Sequence, residues 1–272
     1  MNPRYLILAL FVALAFTSCR KDVDDPSDRP SRPDPDPFVP HIERLNGLFS
    51  VGANAQVQFA CGNVQYRPRT SDWTMAAHQY SIVGAANELI SPSYSGWVDL
   101  FGWGTGSNPL QADIDTGSYA QFVDWGIHFG QGWRTLSEEE WEHLLYYRAN
   151  AAQRHTTAMV CGTDGLLLLP DEWHAPAGIS VVTHVYDYRN QYTSQQFRAL
   201  QDSGAVFLPT AGFRQQTEYH PDQFCYWTSS TVGMYGYEGI RVYLDMSNDP
   251  VLKGMSAYCG LAVRLVYDAD QL

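Results

Sequence analysis

The sequence predicts an α+β fold in which two main helices accompany several short, mostly antiparallel strands. Three observations lead there. Alternating apolar residues broken by Gly, Asn or Asp recur from residue 48 onward, as half-buried strands require. Two stretches, beginning at Ser137 and at Thr193, place a hydroxyl cap ahead of apolar residues at helical spacing. No strand–helix–strand rhythm repeats, so nothing calls for a parallel sheet.

The chain starts MNPRYLILALFVALAFTSC, with one basic residue, Arg4, ahead of an apolar run over residues 5–16. Such a run is a secretory signal and too short to be a comfortable membrane span. It ends in Thr17-Ser18-Cys19, which resembles the bacterial lipobox. That resemblance implies a signal peptide over residues 1–18 and lipidation of Cys19. Residues 19–40 are rich in Pro, Asp and Arg and almost free of apolar side chains before Phe38. They cannot bury enough surface to offset their ordering entropy, so a disordered tether is expected. Within it, Lys21-Asp22-Val23-Asp24-Asp25 resembles the acidic export signal of Bacteroidota lipoproteins. This implies a lipid-anchored protein of the outer membrane, facing the cell exterior.

Residues 41–272 then form a single domain. With 45% of all residues hydrophobic and 14% aromatic, the chain can bury one substantial core or two small ones. The formal net charge of -12 argues against nucleic acid or anionic lipid as a partner and leaves the lipid anchor as the membrane attachment.

Residues 48–68 read as short antiparallel strands, and residues 73–130, dominated by Trp, Tyr, Gly, Ser and Asn, as loops packed by their aromatics. The stretch GWRTLSEEEWEHLL, residues 132–145, sets three glutamates between two tryptophans. Ser137 followed three residues later by Glu140 fits a capping box, and Glu138, Glu139 and Glu140 complement the positive end of the helix dipole. The carboxylates are thereby explained without catalysis, with Trp141, Leu144 and Leu145 on the buried face. Residues 158–169 read as a hairpin that turns through Gly162-Thr163-Asp164-Gly165. Residues 193–201 form the second helix, with Phe197 and Leu200 inward. The segments CYWTSST, GIRVYLDM and GLAVRLVYD are the closing strands.

Beyond Cys19, the cysteines are Cys61, Cys161, Cys225 and Cys259. An oxidising, exported setting allows up to two disulfides, and Cys225–Cys259, both in the strand-rich end, is the favoured pair. No C-x-x-C occurs and no His pair stands at zinc spacing, so neither a metal nor a cofactor is expected. Gly102, Gly104 and Gly106 lack the Lys-Ser/Thr that completes a phosphate loop, and neither H-E-x-x-H nor G-x-S-x-G is present. Asp171 and Glu172 are expected to bond loop amides.

The string W-R-T-L-S-E-E-E-W-E-H-L resembles the R-L-P-T-E-x-E-W-E element of formylglycine-generating, sulfatase-modifying-factor proteins, whose fold is a variant of the C-type lectin fold. FACGNVQYRP, SYSGWVDLFGWGTG, GLLLLPDEW, GAVFLPTAGFR, YWTSS and GLAVRLV are similar, in order and spacing, to exported bacterial proteins that include the Fibrobacter succinogenes major paralogous domain group. The resemblance implies a C-type lectin-like fold over most of the chain. It does not carry the oxidase activity, because the close cysteine pair of those enzymes has no counterpart here. Calcium-binding lectin motifs are likewise missing: His220-Pro221-Asp222 and Ser247-Asn248-Asp249-Pro250 are turn sequences. The C-terminal layout also resembles the variable proteins of diversity-generating retroelements, which use the fold as a binding scaffold.

These readings converge on a non-catalytic ligand-binding or adhesion module, with Tyr226, Tyr235, Tyr237, Tyr243 and Asn248 as the ligand face and Trp227 in the core. The partner expected is an extracellular glycan or protein. A structural fimbria- or envelope-associated component, or a sulfatase-modifying-factor-like oxidoreductase, are the alternatives.

Overall fold

Phe49–Gly52 and Ala55–Phe59 pair antiparallel with Phe49 opposite Val57. Side chains two apart share a face, so Phe49, Val51, Val57 and Phe59 are buried together. The C-terminal strand Val266–Asp268 adds to Ala55–Phe59 and is itself flanked by Trp133–Arg134. The last described strand therefore closes against the first described hairpin. This is a computed structural model, which describes residues 38–110, 121–232, 238–244 and 250–269. The expected lipidation site Cys19 and the expected tether up to residue 37 lie outside the described residues. No helix among them is long and apolar enough to cross a membrane.

A second sheet runs in the order Asn190–Tyr192, His155–Val160, Thr163–Leu168, Val206–Pro209. The first pair is parallel; the other strand pairs among the described residues are antiparallel. The hairpin does not turn where Asp164-Gly165 suggests. Cys161 and Gly162, at φ 51 and 82, form the turn, and Asp164 and Gly165 pair with Met159 and Ala158 in the ladder. Two successive positive φ values match the twist of a two-residue hairpin. Gly165 serves close packing instead: a Cβ there would lie 2.2 Å from the Leu208 carbonyl oxygen.

The helical part corrects the expected count of two. There are three helical segments, besides short 3-10 turns: α1, Glu138–Glu142; a π-helical turn, His143–Tyr147, continuing it; and α2, Ser194–Asp202. The capping box of Ser137 with Glu140 forms as the sequence indicates, and Thr193 caps the second helix in a capping box with Gln196 that was not expected from the sequence. Glu140 is further held by Arg134, whose Nη1 and Nη2 reach its two carboxylate oxygens at 2.7 and 2.6 Å. Leu144 and Leu145 are buried as expected, about 1.5–3 kcal/mol for each side chain removed from water.

The π turn has a visible cause. The Arg148 amide bonds the carbonyl of His143 at 2.8 Å, five residues back, while the Arg148 side chain donates from Nε to the carbonyl of Leu144 at 2.7 Å. The guanidinium thus takes the acceptor that a regular helix would give to the amide. The same buried side chain reaches Asp171 Oδ1 and the Arg154 carbonyl, each at 3.2 Å. Asp171 Oδ2 also accepts from the Ser50 amide and hydroxyl. Burial pushes the Asp171 carboxyl up, but bonds from Ser50, Gln56 and Arg148 outweigh it and hold it below the usual range.

Residues 73–110 and 121–130 are indeed short on regular structure and rich in ring contacts, with Trp73 against Tyr66 at 4.6 Å and against Phe101 at 5.7 Å. Asp99 is fully buried there, its oxygens accepting from the Val83 amide at 2.9 Å and Asn87 Nδ2 at 2.8 Å. No cation pairs with it among the described residues, and burial raises its carboxyl to about 6.

Two outcomes are expected. Ser137→Ala should cost about 0.5–2 kcal/mol by chemical denaturation, the worth of a helix cap. Asp99 binds its proton more tightly folded than unfolded, so it favours the fold most below the unfolded carboxylate pKa, and that stability is lost as pH rises toward about 6. Relative to Asp99→Asn, wild-type stability should therefore fall between roughly pH 4 and pH 6 and run parallel above; parallel curves throughout would contradict the buried-acid assignment.

Candidate functional site

Cys225–Val232, Glu238–Leu244 and Pro250–Ser256 form an antiparallel three-stranded sheet in that order. Alternation divides the middle strand. Ile240 and Val242 are buried, and Arg241 and Tyr243 between them are half-buried on the opposite side. Lys253 stands across from Arg241 in the next strand and is exposed. The Arg241 guanidinium lies 4.8 Å from the Tyr243 ring centroid and the Lys253 ammonium 5.5 Å from it. One aromatic ring therefore gathers two cations, an arrangement favoured by the negative ring face. At the start of the third strand the Tyr146 hydroxyl, from the π turn, donates to the Pro250 carbonyl. Its neighbour Tyr147 is 69% exposed.

Cys225 pairs with Tyr243 and so shares this face, buried beside Arg241, and the thiols here are quiet. Arg241 Nη1 lies 3.3 Å from Cys225 Sγ. Burial pushes the Cys225 thiol up to about 11; Arg241 pulls it down only in part, and Cys259 adds to the rise. Cys259 is raised by burial too, against the fields of Arg241 and Arg214. Thiols so shifted are protonated at neutral pH and poor nucleophiles. The expected Cys225–Cys259 disulfide is not formed; both are free. Cys225 is engaged by Arg241, whereas Cys259 belongs to a short strand paired with Phe213–Gln215 in another sheet.

Of the expected ligand face, Tyr243 lies on this surface. Tyr226 does not: it is fully buried, and this corrects its assignment. It pairs with Val242 on the core side, where its hydroxyl donates to the Pro209 carbonyl at 2.9 Å and accepts from Asn63 Nδ2 at 3.1 Å. Tyr235, Tyr237 and Asn248 lie outside the described residues. Trp227 is in the core as expected, its indole donating to the Phe101 carbonyl at 2.6 Å. Arg241 and Lys253 were missed. The strand Pro250–Ser256 opens on a proline and contains Gly254, both of which disguise a strand, and Val251, Lys253 and Met255, which share one face, mix apolar and charged side chains.

A groove of about 680 Å³ lies elsewhere, lined by Ser50, Gly52, Asn54, Gln56, Asp268 and Ala269. We prefer the Tyr243 face because Asp268, the ionisable side chain of that groove, is already bound by Arg134 Nε at 2.8 Å. Comparison with models of protein families, with curated proteins and with solved structures gave no match for this chain.

The cysteine environments predict a titration result. In a chain carrying Cys19→Ser, a disulfide-exchange reagent at pH 8 should find one fast thiol, the exposed Cys161, and three more only after denaturation. Two thiols missing after denaturation would restore the disulfide.

Proposed function

We propose that this chain is a lipid-anchored protein of the outer membrane, exposed at the cell surface, whose C-type lectin-like domain binds an extracellular glycan or protein and does not catalyse. The observation that carries this reading is the stack of Arg241 and Lys253 on Tyr243, set on a sheet whose other side is core. In a chain of net charge -12, a face with two cations beside an aromatic ring favours ligands that are acidic and offer a flat or hydroxyl-bearing surface. Aromatic rings supply contact area at small entropic cost, and the cations supply orientation and rate of encounter. Tyr226 on the core side and Trp227 on the side of Arg241 are both fully buried and fix the first strand of the sheet, so the face needs little ordering on binding.

Two substitutions test it on an array of glycans and proteins. Lys253→Ala, at an exposed position, should change stability by less than about 0.5 kcal/mol. Tyr243→Leu keeps apolar bulk and removes the ring. Both should weaken capture of the ligand the array identifies, and capture by the wild type should fall with added salt. Unchanged capture in both, with melting temperatures intact, would move the binding face elsewhere.

A further inference from the structure

His41, Glu43 and Cys61 converge at the point where the first described segment meets the sheet. Their ligand atoms, one each of nitrogen, oxygen and sulfur, all lie within 4.8 Å of one another. His41 Nε2 stands 3.5 Å from Glu43 Oε2, closed to solvent and without a hydrogen bond. We propose that these three side chains form a site for a thiophilic divalent cation of the zinc class, with a further coordination position open to solvent or to an external ligand.

The backbone holds the donors in place before any ion arrives. His41 is fixed at both ends, its amide donating to Thr74 Oγ1 at 2.8 Å and its carbonyl accepting from the Met75 amide at 2.9 Å. The Glu43 carbonyl accepts from the Cys61 amide at 3.0 Å. His41 and Glu43 are two residues apart in an extended segment and so project to one side, toward the cysteine. Cys61 Sγ faces the Ala76 carbonyl at 3.7 Å, so residues 74–76 brace two of the three donors.

Donor chemistry selects the ion. A tetrahedral zinc site, with metal–ligand bonds of about 2.0–2.3 Å, sets neighbouring ligand atoms roughly 3.3–3.8 Å apart. The 3.5 Å between nitrogen and oxygen already fits, and the sulfur requires only a side-chain adjustment. Imidazole with thiolate suits zinc or cobalt and disfavours calcium and magnesium, which take oxygen ligands. On binding, the thiol proton passes to solvent and the sulfur lone pair forms the metal bond. Thiolate and carboxylate then balance the two positive charges of the ion. His41 Nε2 and Cys61 are closed to solvent, so the ion enters from the side of Glu43, whose side chain is 58% exposed and leaves room there for a fourth ligand.

Titration of the full-length protein with Co²⁺ tests the site. One ion per chain should bind, with a thiolate-to-cobalt charge-transfer band in the near ultraviolet that Zn²⁺ abolishes by displacement. His41→Ala and Glu43→Gln should each weaken binding by about tenfold or more, at least the loss expected for an outer-shell partner, without lowering the melting temperature of the metal-free protein. Cys61→Ser should remove the band. A missing band in the wild type, a band that survives Cys61→Ser, or affinity unchanged in both surface variants would overturn the proposal. Should Cys61→Ser fail to fold, the two surface variants decide.

Discussion

A buried arginine holds this fold together. Arg264 has no accessible surface to speak of, yet among the described residues it pairs with no carboxylate: its Nε donates to Asn63 Oδ1 at 3.0 Å, and its terminal nitrogens to the carbonyls of Ala60, Gln79 and Phe207 at 3.2–3.3 Å. A guanidinium has five donors in a rigid plane, and here they are spread over chain segments far apart in sequence. Asn63 passes the connection to the Tyr226 hydroxyl, and Tyr226 passes it to Pro209. The N-terminal hairpin, the His155–Leu168 sheet and the C-terminal sheet all attach to this one group. Losing any partner would strand a buried charge or carbonyl, which costs far more than one hydrogen bond gains.

That constraint explains where the surface can do something. The strand Cys225–Val232 gives Tyr226 to the hub on one side, which commits the register of the neighbouring strand and places Arg241 and Tyr243 half-buried on the other side, opposite Trp227 and Cys225. The same register brings Lys253 across from Arg241. Arg148 does similar work at the other end of the domain, tying the π turn to Asp171 and through it to Ser50. Both arginines divide their donors between backbone carbonyls and one side-chain oxygen, and so fix geometry. Arg241 instead lies over a ring beside a thiol and keeps a face toward the surface.

Local signals were legible in the sequence and long-range ones were not. The capping box at Ser137, the cap at the start of the second helix, the inward Trp141, Leu144, Phe197 and Leu200, and the alternating strands are set by residues within four positions of one another, so pattern alone finds them. The hairpin turn was misplaced because Asp164-Gly165 is good turn chemistry, and only the approach of Leu208 shows why that glycine belongs in a strand. Tyr226 looked like a surface aromatic because its partners, Asn63 and Pro209, are distant in the sequence. The His41, Glu43 and Cys61 cluster escaped for the same reason: the third donor arrives through a strand pairing that no zinc spacing encodes.

The central claim is that the sheets open as one unit because Arg264 joins them, and native-state hydrogen exchange measures this directly. The amides of Ala60, Phe207 and Trp227 bond Leu265, Gln79 and Ala262 in three parts of the domain. They should exchange with one shared opening free energy, equal to that of global unfolding, and in Arg264→Lys all three should fall together. Three separate values in the wild type, or a loss confined to Ala60 in the variant, would mean that the sheets are stabilised independently and that Arg264 is a local contact.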